Sequence, residues 1–128
     1  MNRTLRSLIA ADSSTASDPK GCDRHADADL VHYIIVRADL TRGQQVAQAV
    51  HAVGESHGGI VHPPGTIAVA LAARDQAHLR ELYATLVEAG LSPSLIEECD
   101  GEAMAIGIPP TRDRQNIRRW VSQLPLVR

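Results

Sequence analysis

Residues 43 to 58, GQQVAQAVHAVGESHG, hold four side chains spaced to work together: Gln44, Gln48, His51 and Glu55. A helix advances about 100° per residue, so with Gln44 at zero, Gln48 falls near ~40°, His51 near ~340° and Glu55 near ~20°. Two amides, an imidazole and a carboxylate in one narrow stripe suit a site that orients a substrate by fixed hydrogen bonds. His51 is of the residue type that exchanges protons near neutral pH. The competing reading is an ordinary solvated helix face, although such faces favour Lys, Glu and Arg over paired Gln. Val46, Val50 and Val53 fall near ~200°, ~240° and ~180° on the same wheel, which predicts that they hold the helix on a sheet. Ala47, Ala49, Ala52 and Gly54 lie between, small enough to let another backbone approach closely.

Other candidates are fewer. The acidic turn EECDGE offers Asp100, which either orients His51 or a water, or is a turn aspartate bonded to its own backbone. His51 has its own plain alternative, a structural histidine bonded to a backbone carbonyl. Cys99 reads as a small buried hydrophobe and not as a nucleophile. His32, His57, His62 and His78 lack a ligand-type spacing, so no metal site is expected. No serine or cysteine stands beside an evident base in these stretches, so any hydrolysis would use water.

The elements that must position these groups follow from periodicity. Residues 1 to 29, with SSTASDPKG and DRHADAD, read as a flexible leader. Within it residues 3 to 10 have the makings of a marginal helix too short to persist alone. The folded domain, residues 30 to 128, opens with HYIIVRADL, a strand buried on both faces. A helix from Thr41 or Gly43 runs to Gly58–Gly59, and GGIVHPPG forms a loop. Residues 66 to 73, TIAVALAA, form a second buried strand. Asp75 caps a helix through Ala89 with Leu79, Leu82, Leu86 and Val87 inward and Gly90 as its stop. Residues 92 to 97 and 103 to 108 form a third and fourth strand joined as a hairpin. Pro109-Pro110 ends the fourth, and Thr111 caps a last helix to about Gln123. The order β-α-β-α-β-β-α implies one three-layer α/β domain: a mixed four-stranded sheet with a parallel core and helices on both faces.

Bulk composition narrows the function classes. The 128 residues suffice for one domain, and 44% hydrophobic content is that of a globular protein. One Trp, two Tyr and no Phe argue against a base-stacking platform for single strands. The net charge of −2 advertises no polyanion. Two well-separated cysteines, no apolar run near the roughly 18 residues of a membrane span, and no secretory signal point to a cytoplasmic protein. The only lysine is Lys20, in the leader; beyond it the fixed positive charges are arginines, with Arg112, Arg114, Arg118 and Arg119 clustered near the C-terminus.

VRADLTRGQQVAQAVHAVGE resembles the first strand and helix of the class-2 (archaeal and eukaryotic type) peptidyl-tRNA hydrolases, above all their divergent bacterial branch with its V-R-x-D-L…G-Q-Q…Q-x-x-H-A block. TIAVALAARDQAHLRELYATLVEAGLSPSLIEE and AMAIGIPP continue the resemblance, which covers about residues 32 to 124. It implies a mixed four-stranded sheet, no metal or organic cofactor, and a homodimer. It also implies hydrolysis of the ester joining a peptide, or an N-blocked amino acid, to the 3′-terminal ribose of tRNA. Gln48 and His51 carry over directly, and with Asp100 they form the expected catalytic set, His51 as base. Glu98 or Asp100 stands for the family's acidic residue after the third strand, and Glu102 for the hydroxyl residue that follows it. Gln44 and Glu98 would bind substrate, Gln44 at the carbonyl or the terminal nucleoside, and Arg37 and Arg42 would meet the acceptor-stem phosphates. The family's lysine is missing: Arg42 or Gln44 occupies its neighbourhood, and arginine does not shuttle protons. That departure keeps two alternatives open: other aminoacyl or small-molecule chemistry on the same fold, or a non-catalytic binding module.

Overall fold

The computed structural model describes residues 29–58 and 62–128. The expected leader lies outside these except for Asp29, as does Cys22. Among the described residues four strands and three helices follow one another: β1 (Val31–Arg37), α1 (Arg42–Ser56), β2 (Ile67–Ala73), α2 (Gln76–Glu88), β3 (Ser94–Glu97), β4 (Ala103–Thr111) and α3 (Arg114–Val121). The sheet order is β2-β1-β4-β3. Only β1 and β2 are parallel; β4 runs antiparallel to both its neighbours, so the sheet is mixed but lacks the expected parallel core. The reason is the β3–β4 hairpin, which inserts its second strand beside β1 and reverses direction there.

Alternation in β1 divides the core. Val31, Tyr33 and Ile35 face α2 and α3, where Leu79, Leu82, Leu86, Ile117 and Val121 pack on them. Ile34 and Val36 face α1, meeting Ala52 and Ala105. All seven β1 residues are buried, as the sequence predicts for a central strand. Asp75 caps α2 by accepting from His78 N at 2.9 Å, and Gly90 (φ 79°) ends it in the left-handed conformation that favours glycine. Val87, expected inward, is exposed, because α2 turns only Leu79, Leu82 and Leu86 to the sheet.

Three expectations shift at element ends. β2 is not fully buried: Ala68 and Ala70 are exposed on its α1 side. Pro109 and Pro110 do not end β4 but lie within it. Tyr33 pairs with Ile108 and Val31 with Thr111, so the two prolines stand opposite the single residue His32. That is a bulge, where a strand tolerates missing N–H donors. α3 is consequently capped by Asp113 and not by Thr111, and ends at Val121.

The largest correction concerns α1. Val46 and Val50 do not hold it on the sheet; they are 60% and 65% exposed. The buried residues are Gln48, Ala52 and Ser56. The cause is the closeness of α1 to β4. A Cβ built on Gly107 would overlap Ala52 O and Ser56 Oγ and lie 2.8 Å from Ser56 Cβ. Such an approach admits only small groups beneath the helix, so the branched valines are turned to one margin and Gln44, His51 and Glu55 to the other. On the wheel, Gln48 at ~40°, Ala52 at ~80° and Ser56 at ~120° bracket the true inward direction.

Candidate functional site

The carboxyl ends of β1, β2 and β3 meet at one edge of the sheet, and the amino end of α1 covers part of it. α1 starts there because Thr41 and Gln44 form a reciprocal cap: Gln44 N donates to Thr41 Oγ1 at 3.2 Å and Thr41 N donates to Gln44 Oε1 at 2.9 Å. Gln44, expected to bind substrate, therefore spends its amide oxygen on the helix start. Gln45, which the sequence reading passed over, fastens the preceding loop; its Nε2 lies 3.1–3.3 Å from the carbonyl oxygens of Arg37, Ala38 and Leu40. Only the close-packed helix could have revealed it, since glutamine at that wheel position otherwise reads as surface.

Gln48, one turn further, meets the third strand's exit. Its Nε2 donates to Glu98 Oε2 at 2.9 Å, and its Oε1 is buried with no hydrogen-bond partner among the described residues. Gln48 is only 8% exposed, while Glu98 is exposed. An orphaned buried amide oxygen beside a carboxylate is an acceptor pair, suited to a water or to a donor group of a ligand.

The β3–β4 turn holds Glu98 in place. Gly101 N donates to Glu98 O at 2.8 Å and Glu98 N to Glu102 O at 3.0 Å. Gly101 has φ 89°, which a side chain would strain. Arg80 of α2 braces the turn, donating from Nη2 to Gly101 O at 2.6 Å and to Glu97 Oε2 at 3.2 Å. Asp100 serves the turn too: its Oδ1 accepts from Glu102 N at 2.9 Å. Of the two readings of Asp100, this is the turn aspartate. Cys99 is free and exposed in this turn, contrary to the buried hydrophobe expected, because the four residues 98–101 bulge out of the sheet.

His51 is exposed on the same margin of α1, about one turn beyond Gln48, and its imidazole makes no hydrogen bond among the described residues. Gln48 and Glu98 are thus brought together; His51 and Asp100 are not joined. Arg42 is exposed at the first turn of α1.

Arg37 is not the open phosphate contact that the sequence suggests. It is 7% exposed, and four of its N–H groups are engaged. Nε and Nη2 pair with the two oxygens of Asp39, both at 2.9 Å, and Nη1 donates to Glu102 Oε2 at 2.7 Å and to Ala103 O at 3.1 Å. These bonds raise its pKa further and hold Asp39 below the usual carboxylate range. The bidentate pair stays within the β1 exit, and the two Nη1 bonds tie that exit to the start of β4.

A second polar cluster lies under the other end of α1. His32, 1% exposed, has Nε2 2.7 Å from Ser56 Oγ and Nδ1 3.1 Å from His62 Nε2. Ser56 Oγ donates to Ala52 O at 2.6 Å. With that hydroxyl proton committed, His32 must donate from Nε2, and His62 from its Nε2 to His32 Nδ1. Burial, then the neighbouring His62 and His57, lower the His32 pKa to about 4. From the sequence His32 was weighed only as a metal ligand and Ser56 not at all, because their contact crosses 24 positions.

No group of three or more His, Cys, Asp or Glu side chains poised for a metal occurs among the described residues. No helix among them is long and apolar enough to cross a membrane. Comparison with known proteins finds neither a matching family model nor a matching curated sequence.

Proposed function

We propose that this chain hydrolyses the ester of peptidyl-tRNA or N-blocked aminoacyl-tRNA, without a cofactor, at the Gln48–Glu98 edge. The observation that carries the reading is the 2.9 Å bond between Gln48, within the block that resembles the class-2 hydrolases, and Glu98, 50 positions away. Glu98 is the proton acceptor, in place of His51. A water held between Glu98 and Gln48 Oε1 attacks the ester carbon, and its proton passes to Glu98. The tetrahedral intermediate then expels the ribose 3′-oxygen, which takes that proton and leaves as the hydroxyl. Gln48 keeps the carboxylate aimed by its Nε2 donor, and Arg42 at the open start of α1 meets the acceptor-end phosphate. His51, exposed on the same margin, contacts the terminal nucleoside.

The test is release of the blocked amino acid from N-acetyl-aminoacyl-tRNA by the purified chain. Glu98→Gln should lower kcat by about 10²–10³, within the usual range for a lost general base. No cleavage above buffer by the unmodified chain would sink the reading.

The engagement of Arg37 by Asp39 and Glu102 favours a second reading, in which the same edge acts on a small aminoacyl ester with little phosphate contact. Salt separates the two: KM for a tRNA ester should rise steeply between 50 and 200 mM salt, and KM for a small ester should not.

A further inference from the structure

Two helices reach the Gln48–Glu98 edge from opposite faces of the sheet. α1 packs on the Ile34 and Val36 face and brings Gln48. α2 packs on the other face, with Val31, Tyr33 and Ile35, yet its first two turns extend to the β3–β4 turn. Gln76 Oε1 accepts from the N–H of Ala103, the first residue of β4, at 2.7 Å. Arg80, one turn on, donates from Nη2 to Gly101 O at 2.6 Å and to Oε2 of Glu97, the last residue of β3, at 3.2 Å. That Nη2 also lies 3.4 Å from Gln76 Oε1, so the two side chains form one brace.

The turn needs a brace because the ladder beneath it is irregular. Ile96 pairs with Ala105 but Glu97 with Ala103, which leaves Met104 as an extra residue just below the turn. Residues 98–101 are all exposed, and exposed tips with few contacts are the mobile parts of a fold. Glu98 begins this tip, and among the described residues its carboxylate has one hydrogen bond, from Gln48 Nε2. A reacting group must be held within about 0.5 Å of its productive position. Stability does not account for the brace. The side chains of Arg80 and Glu97 are each 45% exposed, and ion pairs so open to water add little to a fold. The charge-assisted bond to Gly101 O fixes the tip itself, since Gly101 N in turn donates to Glu98 O at 2.8 Å.

We propose that Arg80 is a positioning residue: by holding Gly101 from the α2 side it keeps the Glu98 carboxylate against Gln48 on the α1 side. The proposal rests on Glu98 as the proton acceptor of this edge. Without the brace the tip samples other positions, and the carboxylate is aligned for a smaller share of the time. Arg42, on α1, is untouched, so turnover falls while KM holds.

The experiment joins nitrogen-15 relaxation to turnover of N-acetyl-aminoacyl-tRNA in the full-length chain and in Arg80→Ala, Arg80→Met and Arg80→Lys. In the unsubstituted chain the Cys99, Asp100 and Gly101 amides should have order parameters near the rigid value of about 0.85; in Arg80→Ala and Arg80→Met they should drop below about 0.6, with β1 and β4 unchanged. In both variants kcat should fall about tenfold with KM within about twofold, since a small misplacement of a reacting group is costly in rate. The unfolding midpoint should hold. Arg80→Lys, which keeps a charged donor for Gly101 O, should recover both order and kcat, whereas Arg80→Met keeps only the apolar stem. A turn as rigid in Arg80→Ala as in the unsubstituted chain overturns the proposal. So does a loosened turn with unchanged kcat, or recovery by Met and not by Lys. Absence of turnover in the unsubstituted chain sinks the hydrolase reading instead, and the relaxation data still decide whether Arg80 orders the Glu98 turn.

Discussion

His32 should make the fold acid-sensitive, by an amount its surroundings determine. In the unfolded chain the imidazole titrates near 6.5; in the fold, burial beside His62 and His57 lowers it to about 4. Between these values the unfolded chain binds the proton and the native chain does not, so stability is lost as pH falls from 6.5 to 4. Above pH 6.5 both states are neutral and the group contributes no pH dependence. A shift of this size corresponds to about 3 kcal/mol lost by pH 4, and about 1.4 kcal/mol of it by pH 5.5. Against a total stability of about 5–15 kcal/mol that is a large share. The assay is urea unfolding at pH 7.5, 5.5 and 4 for the unsubstituted chain and for His32→Gln, whose amide can still donate to Ser56 Oγ. The variant has its own stability at pH 7.5, so the informative quantity is the difference in pH dependence. The unsubstituted chain should lose about 3 kcal/mol more than the variant between pH 7.5 and 4. Equal pH dependence in both, or a His32 imidazole that titrates near 6.5 by NMR, would refute the argument.

Four further outcomes follow from the geometry. Gly107→Ala should lower stability by more than about 2 kcal/mol in urea unfolding, because the added methyl meets Ala52 O and Ser56 and α1 must lift from β4. Gly101→Ala should reduce stability by about 1 kcal/mol through its φ of 89°, and also reduce kcat by displacing Glu98, which parallel unfolding and turnover measurements would register together. Gln48→Leu removes the donor to Glu98 and the orphaned oxygen that holds the water at once; stability should hold within about 1 kcal/mol while kcat falls at least tenfold. Arg37→Met should lower the melting temperature through loss of the Asp39 and Glu102 bonds, by about 2 kcal/mol of stability, without steepening the salt dependence of KM.

The same residues show why some of this was legible in the sequence. Tyr33 to Val36 read as a central strand, because a short apolar run rich in β-branched side chains is satisfied when both faces are covered. Asp75 and Gly90 bounded α2 by local chemistry alone, one accepting from a free N–H and the other adopting positive φ. The β3–β4 hairpin followed from two short apolar runs and the glycine between them. These are interactions over a few positions, and residue types suffice to write them.

Three-dimensional packing decided the rest. Hydrophobicity placed Val46 and Val50 inward, yet Gly107 of β4, more than 50 positions later, brings the strand so close that only Ala52 and Ser56 fit beneath the helix. Once the helix is rolled that way, Gln48 is drawn under its edge to Glu98, and Gln44 and Gln45 are spent on the helix start and its loop. Arg37 could be known as a charge at a strand end, and its pair with Asp39 is local, but its second carboxylate, Glu102, is brought alongside by an antiparallel neighbour. The sequence by itself therefore determined which elements form and the stripe of groups along α1. The tertiary structure decided which of those groups face a partner, because a helix's roll angle is set by the smallest side chains in its path and those lie on another strand.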